Sequence, residues 1–114
     1  PRVKRGTIAH KRREKILKLT KGFKWGRKNK ERAAKEALIH AGVHAYRHRR
    51  AKKRDFRRLW QTQISAAVRP FNLSYSRFIH LLKQKKIGLD RKSLAYLARE
   101  QPASFHRLIT QIHS

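Results

Sequence analysis

The chain of 114 residues contains no cysteine, three prolines, five glycines and only six carboxylate side chains. Without cysteine there is no disulfide framework and no thiolate zinc site. The few acids have ordinary explanations. Glu14 stands four residues before Lys18 and Glu31 four before Lys35, Asp55 lies inside a basic run, and Asp90 sits where a helix cap belongs. Only Glu36 and Glu100 are left unassigned. There is no paired-carboxylate site, nucleophile elbow, phosphate-cradling glycine loop or HExxH pattern. The sequence therefore points away from an enzyme and calls for no cofactor. Long apolar runs are missing too. Fragments such as Ser65-Ala66-Ala67-Val68 fall far short of the roughly 20 residues needed to span a bilayer. No apolar stretch follows Pro1-Arg2-Val3-Lys4-Arg5-Gly6, so a secretory signal is not expected, and a start at Pro1 is what removal of an initiator Met would leave. His40, His44 and His48 repeat every fourth residue. A neighbouring pair could hold one metal ion, but the outer two would lie about 12 Å apart along a helix, and no metal is expected.

What the sequence has is positive charge: 32 Lys and Arg against 6 acids, a net +26. Such an excess repels itself in any compact free state and needs a polyanion, either a nucleic acid or an anionic membrane surface. The charge is unevenly spread. Residues 1–58 hold 23 Lys or Arg against 4 acids, and residues 59–114 hold 9 against 2. This divides the chain into a basic arm, 1–58, and a less charged C-terminal domain, 59–114.

The pattern predicts an all-α fold. Residues 7–21 have too few apolar positions for a core-facing stripe and read as a short helix or an extended tail. Gly22-Phe23-Lys24-Trp25-Gly26 reads as a bend. From about Asn29 to Arg69 there is no Pro and only Gly42, while apolar residues recur at Ala34, Leu38, Ala41 and Ala45, then at Phe56, Trp60, Ile64 and Ala67. This spacing predicts one long helix over about 29–69, with Asn29 as its N-cap and Pro70 as its stop. Three short amphipathic helices should follow. They are marked by Tyr75, Phe78, Ile79 and Leu82, by Leu94, Leu97 and Ala98, and by Phe105, Leu108, Ile109 and Ile112. Ser74 and Asp90 are placed as N-caps, Gly88 follows the first short helix, and Pro102 suits the first turn of the last. Three helices in so few residues need support, so they are expected to pack on Phe56, Trp60, Ile64 and Ala67 at the end of the long helix.

Residues 47–58 put eight cations on a helix about 18 Å long. That density approaches the spacing of duplex phosphates, about one per 1.7 Å. Repulsion between cations three or four apart should fray this stretch in the free chain, so the arm is expected to order mainly when bound. A membrane-surface helix would keep an apolar face, which this run lacks. A leucine zipper would continue in apolar heptads, but stepping from Leu59 gives Ala66, Leu73 and His80 across Pro70. Phe23, Trp25, His40, His44, Tyr46 and His48 add rings able to stack on unpaired bases.

The opening Pro1-Arg2-Val3-Lys4-Arg5-Gly6, the central AYRHRRAKKRDFRRLW of residues 45–60, and LSYSRFIHLLK followed by LDRKSLAYLA occur in an order and spacing that resemble bacterial-type large-subunit ribosomal protein number twenty. The likeness runs from Pro1 to about Ile112. It implies a long bent helical arm threaded into large-subunit ribosomal RNA, a small helical C-terminal domain on the RNA surface, and a role early in subunit assembly. It also implies residence in the large ribosomal subunit of a bacterium or an organelle, with neighbouring large-subunit proteins as partners; in some members of the family the C-terminal domain also recognises its own messenger RNA to repress its synthesis, which makes that messenger a candidate partner for residues 75–114. His48 stands where the family commonly has Asp, residues 61–65 depart from its usual Ile-x-Arg-Ile-Asn, and Trp25 is unusual for the family.

The expected function is therefore a structural constituent of the large subunit that binds its ribosomal RNA directly, without oligomerising. The competing reading is a basic DNA-compacting or regulatory nucleic-acid-binding protein. The candidate RNA contacts are Arg2, Lys4, Arg5, Lys11, Arg12, Arg13, Lys15, Lys18, Lys21, Lys24, Trp25, Arg27, Lys28, Lys30 and Arg32, then His44, Tyr46, Arg47, Arg49, Arg50, Lys52, Lys53, Arg54, Arg57 and Arg58.

Overall fold

The computed structural model describes all 114 residues as five α-helices and no strand: α1 Gly6–Leu19, α2 Glu31–Val68, α3 Tyr75–Gln84, α4 Arg91–Glu100 and α5 Pro102–His113. The all-α fold, with one long helix followed by three short ones, is as the apolar spacing predicts. None of the helices is long and apolar enough to cross a membrane. The chain divides into two compact units, Pro1–Arg50 and Ala51–Ser114.

In the first unit, α1 forms a helix although its N-terminal position, Arg5, offers no side-chain cap. The far end is better held. Thr20 is fully buried, and both its N–H and its hydroxyl donate to the Leu17 carbonyl at 3.2 Å. Ile16 and Leu17 are half-buried above it. The turn that follows needs left-handed backbone twice. Gly22 supplies it freely at φ 89, whereas Trp25 adopts φ 57 and begins a single 3₁₀ turn over Trp25–Lys28. A bulky L-residue in that region costs about 1–2 kcal/mol relative to the right-handed region.

The expected cap at Asn29 is not formed. The Gly26 carbonyl accepts from both Asn29 N–H (3.4 Å) and Lys30 N–H (2.9 Å), so the 3₁₀ turn runs almost directly into α2. Asn29 is left at φ −130, ψ −15, away from the extended backbone a capping side chain uses. The helix starts two residues later, with the Lys30 carbonyl accepting from Ala34 N–H at 2.8 Å. Ala34 is the one fully buried apolar side chain of this unit. Glu31 pairs with Lys35 at 3.3 Å across the first turn.

In the second unit, Ile64 and Val68 from the end of α2 join Leu73, Phe78, Leu82, Leu94, Ala95, Phe105, Ile109 and Ile112 in one buried core. α5 lies against both α3 and α4. The Phe78 and Phe105 rings meet at 5.7 Å between centroids, tilted by 50°. Trp60 and Ala67 pack at the edge of this core as expected, but Phe56 does not: it is 44% exposed and not part of the cluster. Val68 takes the buried role instead, because it continues the four-residue step from Trp60 and Ile64 toward α3, whereas Phe56 lies a turn too far back along α2.

The connections use local chemistry. Pro70 sits in a 3₁₀ turn over Arg69–Phe71 that closes on Asn72 at φ 59, with Leu73 N–H reaching back to the Val68 carbonyl at 3.4 Å. Ser74 and Asp90 cap α3 and α4 as expected, accepting from Arg77 N–H (3.3 Å) and Ser93 N–H (2.8 Å). The hydrogen bonds from Ser93 hold the Asp90 carboxyl below its ordinary value, although the group is exposed. α3 ends earlier than Gly88 suggested. Ile87 N–H bonds to the Leu82 carbonyl (3.0 Å) and Lys86 N–H to that of Lys83 (3.1 Å), leaving Lys86 as the left-handed residue at φ 56. This double closure fixes the C-terminus by its hydrogen bonds even without glycine at the left-handed position.

Candidate nucleic-acid interface

A cation is available to a phosphate only if it reaches solvent and is not already neutralised. All 22 Lys and Arg among the candidate contacts are exposed. Of these, only Arg58 has a carboxylate partner, Asp55 at 3.8 Å. The acids of the arm are otherwise spent on other groups. Glu31 takes Lys35, and Glu36 meets His40 at 3.8 Å. Glu14 does not pair with Lys18; it meets His10 at 2.9 Å, one turn toward the N-terminus instead of one turn beyond. Arg13 spends one Nη on the Asn29 carbonyl at 3.4 Å and keeps its charge.

The basic stretch of α2 is continuous helix, so its side chains follow the helical period. With about 100° per residue, the cations from Arg47 to Arg58 leave free only the sector bearing His48, Ala51 and Asp55. Along that same sector of the first unit lie Ala33, Ala37 and Ala41, which with Phe23, Arg27 and His44 line a shallow cavity of about 540 Å³. The alanines thus keep α2 slim where the preceding turn approaches it, and the cations occupy the remaining circumference.

The candidate rings take distinct places. Trp25 is 82% exposed, held out on its left-handed turn with no ring partner. Tyr46 is 59% exposed, and the Arg50 guanidinium carbon lies 5.2 Å from its ring centroid, a cation–π pair one helical turn apart. His44 and His48 stack at 5.9 Å with an interplanar angle of 24°. Phe23, by contrast, is half-buried against α2. The arrangement presents a dense field of unpaired cations with two protruding aromatic faces. It can neutralise phosphates and stack unpaired bases.

Reading the sequence alone missed a second surface. Phe56, Leu59, Leu89 and Tyr96 are all exposed in the second unit and line one cleft. The signal was partly available, since Leu59 lies to one side of the stripe that Phe56, Trp60, Ile64 and Val68 share.

Comparison with known proteins bears on this interface. A family model described as ribosomal protein L20 matches residues 2–108. The large ribosomal subunit protein bL20 of Leptothrix cholodnii is 51% identical over 112 residues, covering 98% of this chain and 95% of that protein. The bL20 proteins of Methylibium petroleiphilum and Nitrosomonas eutropha are each 50% identical over 112 residues, covering 98% of this chain and 95% and 94% of theirs.

Proposed function

The chain belongs to the ribosomal protein L20 family and is a structural constituent of the large ribosomal subunit, and from that premise we propose that its arm, residues 1–58, binds large-subunit ribosomal RNA directly. The observation that carries this reading is the set of exposed, unneutralised Lys and Arg, of which Arg58 alone has an ionic partner. Such a surface condenses on a phosphate backbone by releasing counterions, and the gain is largest where cation and phosphate spacings match, as they do along residues 47–58. Phosphate contacts set register and orientation, while Trp25 and Tyr46 supply stacking at unpaired nucleotides. A chain with net charge +26 that lies between RNA segments lets them approach more closely than their mutual repulsion allows, and this is the physical basis for a role early in subunit assembly. Family membership favours this reading over DNA compaction.

The test is binding of the full-length chain to large-subunit ribosomal RNA over a salt series. If 6–10 phosphates are engaged, affinity should fall by about 10³–10⁵ between 50 and 200 mM salt. The ribosomal transcript should also be preferred over a random RNA of equal length. Salt-insensitive binding, or no preference, would remove the direct-binding reading. For assembly, depletion of the protein should accumulate precursor particles lacking late-joining proteins; a normal subunit profile would count against that role.

A further inference from the structure

Within the first unit, α2 and the turn before it frame the cavity of about 540 Å³. Phe23 and Arg27 line it from the turn, and Glu36, His40 and His44 line it from α2. Its volume falls in the range of small-ligand pockets, about 300–1,000 Å³. The alanines of α2 leave this room open, but its chemistry comes from the larger side chains around them. Phe23 is half-buried, whereas Arg27 and Glu36 reach solvent. Glu36 is one of the two acids without an assignment from the sequence. Elsewhere in the arm, Glu31 and Asp55 have a Lys or Arg partner, and Glu14 has His10 at 2.9 Å. Glu36 has only His40, whose Nε2 stands 3.8 Å from Oε1, beyond hydrogen-bond reach, and both side chains are largely exposed. Its carboxylate is therefore open to a donor from outside the chain.

We propose that this cavity receives one unpaired guanine of large-subunit ribosomal RNA, and that Glu36 reads the Watson–Crick edge of that base. The proposal rests on the RNA-binding reading of the arm and adds a base-specific site to it, which phosphate contacts by themselves do not provide. An ionised carboxylate accepts hydrogen bonds and donates none. It also repels phosphate, so on a surface built for RNA it needs donors from a base. Guanine is the one standard base whose Watson–Crick edge carries two adjacent donors, N1–H and the N2 amino group, one for each carboxylate oxygen. Adenine, cytosine and uracil each offer a single donor there, beside acceptors that a carboxylate repels. His40, one turn along α2, can donate a ring N–H to guanine O6. Phe23 gives the base a ring to stack on, and Arg27 gives its phosphate a guanidinium without a carboxylate partner.

An apolar side chain from a protein fits this lining poorly, because it would desolvate Glu36 and Arg27 without pairing either of them. A second copy of the chain is disfavoured by charge, since each copy carries +26.

The experiment binds the full-length chain to large-subunit ribosomal RNA and probes the complex with two reagents. Kethoxal adds across N1 and N2 of accessible guanines, and hydroxyl radicals cut the RNA backbone wherever protein does not cover it. One unpaired guanine should be protected from kethoxal by the natural chain and become reactive with Glu36→Gln. A compensating pair gives a second measure, because a glutamine amide donates to N1 of adenine and accepts from its N6 amino group. Replacing that guanine with adenine should weaken binding of the natural chain by about tenfold, and Glu36→Gln should recover it. A merely structural glutamate predicts a different result: loss of its negative charge would tighten binding to both RNAs alike. That result would overturn the proposal, as would a Glu36-dependent adenine or cytosine found with dimethyl sulfate. Absence of any Glu36-dependent guanine under a clear radical footprint would also overturn it, while leaving the arm's RNA binding standing. Absence of the footprint itself would strike both readings.

Discussion

Arg54 offers a test in which stability and RNA binding should move in opposite directions. It is exposed on α2 with no carboxylate partner, and it lies three or four residues from Arg50, Arg57 and Arg58. Each such like-charge pair destabilises a helix by about 0.2–0.5 kcal/mol. Replacing Arg54 with Gln removes three of them while keeping side-chain length and nearly the same helix propensity. The free helix should gain about 0.6–1.5 kcal/mol, a 3- to 12-fold increase in amide-exchange protection across residues 47–58. Hydrogen exchange of the full-length chain at low ionic strength measures this directly. The gain should shrink at 1 M salt, where the Debye length is about 3 Å. RNA binding should weaken in the same variant, with the slope of log affinity against log salt reduced by about 0.7–0.9, one phosphate contact. Equal or lower protection at low salt would refute the repulsion argument, as would a gain that persists at high salt. An unchanged salt slope would remove Arg54 from the interface.

Trp25→Gly should relieve the left-handed strain at φ 57 and stabilise the turn by about 1 kcal/mol, yet weaken RNA binding by the about 1–3 kcal/mol of a lost base stack; thermal melts and filter binding on one preparation separate the two effects. Phe78→Ala empties a fully buried site beside Phe105 and should cost about 3–5 kcal/mol, so denaturant titration should find the second unit severely destabilised or unfolded. For Asp90, the folded carboxyl lies below its ordinary value of 3.8, so its stabilisation of α4 is complete above that value and is lost as pH falls through the lower folded one. Asp90→Asn should keep a Ser93 cap while losing that acid sensitivity, as followed by exchange at the start of α4; identical acid profiles would refute the assignment.

Much of the fold was legible because the signals are local. The absence of Pro between residues 29 and 69 and the four-residue apolar steps make α2 a single helix, and Ser74 and Asp90 cap where their positions suggested. Details set by the chain's path were not legible. Asn29 is a good cap by composition, but the 3₁₀ turn that closes on the Gly26 carbonyl holds it away from the extended backbone a capping side chain uses. Gly88 is a good helix stop, but the backbone closed two residues earlier, on Lys86. For the candidate interface, residue types alone named 22 of the arm's 23 Lys and Arg, all but Lys35, and burial could only remove candidates from that set. It removed none.

The sequence by itself determined the charge, the helical class and the family, because net charge, helical period and motif order are properties of the chain that no packing can alter. Only the tertiary structure decided which apolar residues face inward. Phe56 and Ile64 both lie on the same apolar stripe of α2, and Leu59 and Leu94 have the same side chain. Ile64 and Leu94 are buried because α3, α4 and α5 close over them, while Phe56, Leu59 and Tyr96 are left lining an open cleft. Burial depends on what lies opposite a residue in space, and a one-dimensional pattern does not contain that information.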